Sequence, residues 1–252
     1  MLSQPRLDEI MKLLRLDRRV SVSDLVEKLQ VSDETIRRDL KHLEEQGDLR
    51  RVHGGAILPK LTEEQPIDVR GRIKQREKSK LSQYAAGCVH EGMSVFLDTG
   101  TTTLALSHRL IQYNNLTVVT NSLDIAHELV SKSENKVTIL PGDIRRNDNA
   151  VVGYSAVKAA SWRFYDVAFM GIAAIDPILG FMDYEEDEAE IRRAVIAQSG
   201  KSIILADDSK FGRKTHIRTC SISDVDRVIT NKKPKEEYLK CFSDAGVEIV
   251  YE

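Results

Sequence analysis

The chain has 252 residues, 41% of them hydrophobic and 30% charged, which is enough apolar material for one or two packed domains and too much for a chain disordered in bulk. No apolar run approaches the roughly 18 residues of a membrane span, and Met1-Leu2-Ser3-Gln4-Pro5-Arg6 lacks the apolar core of a secretion signal, so a cytoplasmic protein with no membrane partner is expected. The net charge of −2 hides a split: residues 1–80 hold 18 Lys and Arg against 15 Asp and Glu, and residues 81–252 hold 19 against 24, a slightly basic piece on an acidic body.

Cys88, Cys220 and Cys241 are odd in number and widely spaced, which suits a reducing compartment and makes no CxxC knuckle. The histidines show no HExxH-like spacing. Neither a disulfide framework, a protein-built metal site nor a cofactor is expected.

In chain order, Leu7, Ile10, Met11 and Leu14 form one apolar helical stripe. A short helix follows through Leu25, Val26 and Leu29, with Ser21 or Ser23 as its N-cap. Ser32 caps the next, whose first turn carries Asp33 and Glu34, where the helix dipole favours acids. That helix turns Ile36, Leu40 and Leu43 inward and stops near Gly47, while Thr35, Arg37, Arg38, Lys41 and His42 face outward. A short helix, a tight turn and a longer helix with a polar, basic start is the spacing of a helix-turn-helix. An α-helix fits the major groove, where Arg pairs bidentately with guanine and Glu accepts from cytosine. Asp48–Val52 and Gly55–Leu58 flank His53-Gly54 as a two-stranded wing, whose arginines, Arg50 and Arg51, are placed to reach phosphate or a minor groove. The candidate DNA-contacting residues are therefore Ser32, Glu34, Thr35, Arg37, Arg38, Lys41, Arg50, Arg51 and His53. Asp39 reads equally as an ion-pair partner orienting Arg37 or Arg38 and as a residue with a DNA role. A three-helix module that recruits a protein remains the alternative.

Arg6, Ile10, Leu14, Ser32-x-x-Thr35-Ile36-Arg37-Arg38-Asp39-Leu40 and His53-Gly54-Gly55-Ala56 resemble the winged helix-turn-helix of the DeoR family of bacterial transcription regulators. The resemblance implies operator DNA as partner.

Two prolines and no apolar period mark residues 59–71 as a linker between a winged helix-turn-helix (1–58) and a larger α/β domain (72–252), whose first helix starts near Arg72. Beyond it, short apolar runs alternate with helices: 95–97, 116–120, 137–140, 167–170, 203–206, 225–229 and 247–250. This predicts a mostly parallel sheet covered on both faces, with ligands at the carboxyl ends of its strands. Asp98-Thr99-Gly100-Thr101-Thr102-Thr103 follows one such strand and opens a helix, so free amides, hydroxyls and a positive dipole end converge there. It is neither a Walker A loop nor GxGxxG. Asp207-Asp208-Ser209-Lys210 follows another strand; Lys210 is a point charge for the same anion and Asp207 a partner for sugar hydroxyls. Thr120-Asn121 ends a third strand. Glu188 and Arg192 are spaced to pair along one helix.

Asp98-x-Gly-Thr-Thr, Thr120-Asn121, Glu188-Ala189-Glu190 and Asp207-x-Ser-Lys-Phe-Gly resemble the DeoR effector domain, whose fold is related to ribose-5-phosphate isomerase and CoA-transferase-like proteins. The resemblance implies a sensor of a phosphorylated sugar or related metabolite, with Asp98, Gly100, Thr101, Thr102, Thr103, Asn121, Asp207 and Lys210 as effector-binding candidates. Pro141 and Ala174 stand where that pattern usually has glycine. A sugar-phosphate isomerase is the rival reading, and Arg192 occupies the place resembling the isomerase's base, which favours binding without turnover. A transcriptional repressor, homodimeric or homotetrameric, is the expectation.

Overall fold

The computed structural model describes residues 3–45, 48–58 and 64–251, and the chain forms two compact units, Met1–Glu64 with Arg72–Lys74 and Gln65–Gly71 with Gln75–Glu252. No helix among the described residues is long and apolar enough to cross a membrane.

In the first unit, α1 (Ser3–Asp17) buries Leu7, Ile10 and Leu14 along one stripe. Strand β1 (Arg19–Ser21) runs straight into α2 (Val22–Leu29), and Ser21 caps it by accepting the Asp24 amide at 3.0 Å, which decides between the two serines. Gln30 ends α2 in the left-handed region at φ 54°. Helix α3 (Asp33–Glu45) opens on the Ser32 hydroxyl, which accepts the Thr35 amide at 3.3 Å, and buries Ile36, Leu40 and Leu43. Its expected end near Gly47 lies outside the described residues. Strands β2 (Arg50–Val52) and β3 (Gly55–Ile57) are joined by His53-Gly54, with Gly54 at φ +79°.

The wing has three strands in the order β1-β3-β2, not two. A Cβ at Gly55 would sit 2.0 Å from the Val20 carbonyl oxygen, so the approach of β3 to β1 requires glycine there. Asp39 also departs from expectation. It is buried and grips Arg6 of α1 through both oxygens (Arg6 Nη2–Asp39 Oδ1 3.1 Å), fastening α3 to α1, while Arg37 pairs with Asp33 one turn back. A buried carboxylate takes whichever guanidinium the packing brings to it, and here that is one 33 residues upstream.

In the second unit, α4 (Ile67–Arg72) occupies part of the stretch read as linker; residues 59–63 of that stretch lie outside the described residues. Pro66 begins α4 by offering its carbonyl to the amides of Val69 and Arg70 (3.1 and 3.0 Å). Lys74, at φ +52°, separates it from α5 (Gln75–Ala86). Then come β4 (Ser94–Leu97), α6 (Thr101–Leu110), β5 (Thr117–Thr120), α7 (Leu123–Lys132) and β6 (Lys136–Ile139). A hairpin of β7 (Asp143–Arg145) and β8 (Ala150–Val152) leads to α8 (Tyr154–Ser161) and β9 (Val167–Gly171). Strands β10 (Ala174–Asp176) and β11 (Gly180–Asp183) precede α9 (Glu186–Ile196), β12 (Ser202–Leu205), a 3-10 turn at Asp208–Lys210, and β13 (Ile217–Cys220). The chain closes through β14 (Arg227–Ile229), α10 (Glu236–Asp244) and β15 (Glu248–Val250).

The seven apolar runs make one parallel sheet, ordered β15-β14-β12-β9-β4-β5-β6. Alternation along the strands divides the core. Phe96, Val119, Met170, Ile204 and Val228 meet Ala156 and Ala160 of α8, Ile191 of α9 and Phe242 of α10. Val95, Leu97, Val118, Phe169, Ile203 and Ile229 meet Leu81 of α5, Leu106 of α6 and Leu129 of α7. Both faces are thus covered, as continuous apolar strands require. An antiparallel sheet β10-β11-β13 adds to this frame. In the parallel sheet β12, β9, β4 and β5 are neighbours, so the residues that follow them share one edge.

Candidate nucleic-acid interface and effector site

In the first unit the core side of α3 leaves Ser32, Glu34, Arg37, Arg38 and Lys41 exposed and Thr35 half-buried. Capping fixes the helix start: besides accepting an amide, the Ser32 hydroxyl lies 2.9 Å from that of Thr35. Arg37 donates to Asp33, with Nη2–Oδ2 at 3.3 Å, and this carboxylate raises the Arg37 pKa through its hydrogen bond and its charge. Lys41 approaches Glu45 at 3.8 Å. On the wing, Glu44 accepts both the Arg51 amide at 2.9 Å and its Nε at 2.7 Å, orienting that side chain. Arg50, Arg51 and His53 are exposed. A cleft of about 300 Å³ between α3 and the wing gathers Arg37, Arg51 and His53 over Leu40 and Gly55. A rigid helix start and a wing edge therefore present cations on a common cleft, the layout needed to follow a phosphate backbone beside a groove.

In the second unit the site forms at the ends of β4, β5 and β12. Gly100 takes φ 142°, which lets the chain turn from β4 into α6, and its carbonyl accepts the Leu104 amide at 3.0 Å. Gly100, Thr101 and Thr102 are half-buried at the amino end of α6, where backbone amides lack helical partners. Thr103 is fully buried and its hydroxyl donates to the Gly100 carbonyl at 2.9 Å, so it braces the turn from inside. Asn121, at the end of β5, accepts the Thr99 amide at 2.8 Å and links the two strand ends.

Beneath that loop, Asp98 is completely buried and its Oδ2 accepts from Arg192 Nε at 2.6 Å. Burial pushes the Asp98 carboxyl upward against the opposing pull of Arg192. Arg192 is a hub: it also donates to Asp183 and, at 2.7 Å, to Glu188, the helical neighbour its spacing predicts. Glu188 passes the contact to Arg145, which holds Asp148 at 2.9 Å. The sequence showed one pair of this network; its other members come from the end of β4, from β11 and from the β7–β8 hairpin. Asp98 Oδ1, Thr99 Oγ1 and Asn121 Nδ2 are buried with no hydrogen-bond partner among the described residues. Three such polar atoms on adjacent strand ends mark a place built to meet a polar group.

At the end of β12, Asp207 is buried and accepts from the Ser209 amide (2.9 Å) and hydroxyl (2.5 Å), which shapes the turn carrying the half-buried Lys210. The structure adds a residue that the sequence reading passed over. Lys78 of α5 is buried, and its pKa is lowered to about 8, first by desolvation and then by Lys210, with Asp207 pulling the other way. Lys78 also donates to the Arg70 carbonyl of α4. In sequence it is one of five basic residues between Arg72 and Lys80, with nothing to distinguish it. A cavity of about 640 Å³ runs from Thr101 and Lys78 along α6 to Ser82 and Arg109, roofed by Ile67 and Gly71 of α4. Lys78, Arg109 and the hydroxyls of Ser79, Ser82 and Thr101 line it together with Asp68 and Asp124, and the cations and hydroxyls among them suit an anionic metabolite.

A family model described as the DeoR-like helix-turn-helix domain matches residues 6–62, and one described as the DeoR C-terminal sensor domain matches residues 73–232. The chain is 32% identical over 240 residues to the glycerol-3-phosphate regulon repressor of Escherichia coli (strain K12), covering 95% of each protein. It is 35% identical over 237 residues to the protein of the same name from Haemophilus influenzae, covering 93% of this chain and 92% of that one. It is 32% identical over 253 residues to the HTH-type transcriptional repressor GlcR of Bacillus subtilis (strain 168), covering 99% and 96%. Among solved structures, a ribose 5-phosphate isomerase A from Methanocaldococcus jannaschii covers 56% of each chain at 17% identity and a TM-score of 0.41, too distant to bear on activity.

Proposed function

The chain belongs to the DeoR family of transcription regulators, and from that premise we propose that it is a cytoplasmic repressor of carbohydrate genes whose hold on operator DNA is set by a phosphorylated sugar or related metabolite. In this reading Ser32, Glu34, Thr35, Arg37, Arg38 and Lys41 face the major groove and its phosphates, and Arg50, Arg51 and His53 approach the flanking backbone. A homodimer or homotetramer reads paired half-sites, because one helix-turn-helix spans only a few base pairs.

The observation that carries the effector reading is the cluster of unsatisfied polar atoms, Asp98 Oδ1, Thr99 Oγ1 and Asn121 Nδ2, beside the amino end of α6. We assign the phosphate to the amides and hydroxyls of Gly100, Thr101 and Thr102, with Lys78 and Lys210 as counter-charges. Thr103 and Asp207 act behind them as positioning residues, since their oxygens already bind Gly100 and Ser209, while Asp98 is held by Arg192 through Oδ2 and keeps Oδ1 for a hydroxyl of the ligand. The effector acts on α4. Lys78 is tied to the Arg70 carbonyl, and a Cβ at Gly71 would lie 4.0 Å from the Thr101 methyl. An anion that recruits Lys78 and Thr101 therefore changes what α4 rests on, and α4 lies in the stretch of chain that follows the wing. Control requires only that the effector bind one arrangement of α4 better than the other.

Isomerase chemistry is not part of this reading. Aldose–ketose turnover needs a carboxylate base, and the place resembling it holds Arg192, whose guanidinium does not deprotonate and is clasped by three carboxylates. The test is a thermal-shift panel of phosphorylated and unphosphorylated three- to six-carbon metabolites, glycerol 3-phosphate included, read beside mobility shifts on the gene's own upstream DNA. Each tenfold excess of a true effector over its Kd adds about 1.4 kcal/mol of stability. A ligand that both stabilises the protein and changes the DNA shift is expected; stabilisation by the unphosphorylated sugar alone would discard the phosphate assignment.

A further inference from the structure

Helix α8 and the residues just after it carry exposed rings that none of the described residues covers. Tyr154, Trp162 and Phe164 are 78%, 77% and 82% exposed, within eleven residues of one another. Tyr154 and Trp162 are eight positions apart, so they lie on one side of the helix, roughly 12 Å from end to end. Lys158 stands between them with its ammonium 5.1 Å from the Trp162 ring centre. The opposite side of α8 is apolar: Ala156 and Ala160 are fully buried in the sheet core, and Val157 packs against it. Helix α8 thus packs its apolar side on the sheet core and turns exposed rings outward with Lys158 between them, a side on which no layer of the described residues lies.

The face is rigid. The Phe164 carbonyl accepts the Ser94 hydroxyl at 3.2 Å, and the next residue, Tyr165, is buried against Phe96 with its hydroxyl on the Ala160 carbonyl at 3.2 Å. Hydrogen-bonded backbone on either side fixes where the rings are attached, so a partner meets them without the cost of ordering the chain that carries them. Large aromatic side chains on ordered backbone, here with Lys158 and Arg163 among them, are what interface centres are made of.

We infer that the α8 face, with Tyr154, Trp162 and Phe164 at its centre, is the self-association surface of the protein and that its occupant is the same face of a second copy of this chain. Two points select a second copy. Rings of 150–250 Å² each, four-fifths exposed, supply about 350–600 Å² of apolar area, which is half to three-quarters of the roughly 800 Å² that one partner contributes to a stable interface. A twofold contact needs only one self-complementary patch, which Tyr154, Trp162 and Phe164 around Lys158 provide. Choosing a second copy over another protein also rests on the repressor reading, because paired half-sites demand paired readers. The experiment uses neither DNA nor effector, so its failure stands apart from failure of that reading.

Trp162 is the only tryptophan in the sequence, so its fluorescence reports on this face alone. The full-length protein is taken through a dilution series by sedimentation velocity, with Trp162 emission and acrylamide quenching measured on the same samples. A dimer or larger assembly is expected in which Trp162 emits to the blue and is quenched several-fold less than free tryptophan. Tyr154→Asp with Phe164→Asp, which keeps the reporter, is expected to give a monomer with unchanged far-ultraviolet circular dichroism and freely quenched Trp162. Two results overturn the inference: an assembly whose Trp162 is as quenchable as free tryptophan, and a wild-type protein that stays monomeric throughout, which would leave the face to another protein. The wild-type measurement decides even if the double variant fails to fold.

Discussion

Both units hold arginine against carboxylate, and at the faces proposed to carry function they do so under opposite conditions, although Arg6–Asp39 is buried inside the first unit. On α3 the pair Arg37–Asp33 stands in water, with side chains about 60% exposed; in the sensor unit Arg192, at 4%, is enclosed by Asp98, Asp183 and Glu188. An exposed pair contributes little to stability and can exchange its partner for a phosphate. A buried one cannot exchange anything without leaving charges stranded. The difference teaches where each unit keeps its function: the DNA reader in cations free to change partners, the sensor in a locked frame that presents a few unsatisfied atoms at strand ends.

The largest expected effect comes from breaking the frame. Arg192→Ala strands three buried carboxylates, and removing one partner of a buried pair typically costs 3–5 kcal/mol. At 2–4 °C per kcal/mol for a domain of this size, the sensor transition should fall by roughly 6–20 °C in differential scanning calorimetry. A variant melting within 2 °C of wild type would mean that the hub carries no stability. The exposed counterpart should behave in reverse. Arg37→Ala with Arg38→Ala should weaken operator binding by about 2–4 kcal/mol in fluorescence anisotropy, lower the salt slope, and leave the melting temperature unmoved. Equal loss on operator and random DNA would restrict both arginines to phosphate contacts.

The contrast also explains what could be read from the sequence. The seven parallel strands were legible because burial on both faces writes a continuous apolar run, and α3 was legible because its cap, period and basic face coincide. Strand β1 was not: three residues carry no period, and only the fit of Gly55 against Val20 makes them a strand. Helix α4 looked like linker because it buries no residue of its own. Sites divide along the same line. Gly100-Thr101-Thr102 and Lys210 announce themselves by following strands, whereas Lys78 matters only because α5 brings it beside Asp207 and Lys210. In sequence Asp39 reads as a partner on its own helix or as a DNA contact, and its partner in the fold, Arg6, lies on another helix.

Lys78 offers a sharper test, because it is a buried cation whose partner is the proposed ligand. Its pKa, lowered to about 8, means the folded protein holds fewer protons than the unfolded chain between about pH 8 and the ordinary lysine value of 10.5. Stability from this group therefore rises with pH across that window, as the cost of burying the charge is relieved. Effector binding has the opposite sign. A phosphate favours the ammonium, so binding takes up a proton near and above pH 8, and affinity should fall by up to about tenfold per unit above it. Calorimetric titrations in buffers of differing ionisation enthalpy measure that uptake directly. Lys78→Met should remove both the uptake and the slope while weakening binding by about 1.5–3 kcal/mol. Uptake that persists in Lys78→Met would move the titrating group elsewhere.

The smallest effect probes how the wing is held. Glu44 accepts the amide and the Nε of Arg51, so it fixes the wing strand to α3 while placing a negative charge beside the proposed phosphate path. An exposed pair of this kind contributes at most about 1 kcal/mol, so Glu44→Gln, which keeps an acceptor for the amide, should shift the melting temperature by only a few degrees. Its effect on DNA has two parts of opposite sign. Loss of the carboxylate frees Arg51 for phosphate and removes a repulsion, which strengthens binding and steepens its salt dependence. Loss of the fork loosens the orientation of Arg51, which weakens binding at every salt concentration. If Glu44 mainly competes with DNA for Arg51, affinity rises at low salt and the gain shrinks as salt increases. If it mainly aims Arg51, affinity falls by a constant factor across the salt series. The anisotropy series that measures Arg37→Ala with Arg38→Ala separates these outcomes, and a constant fall would show that even the exposed side of this protein depends on one carboxylate staying in place.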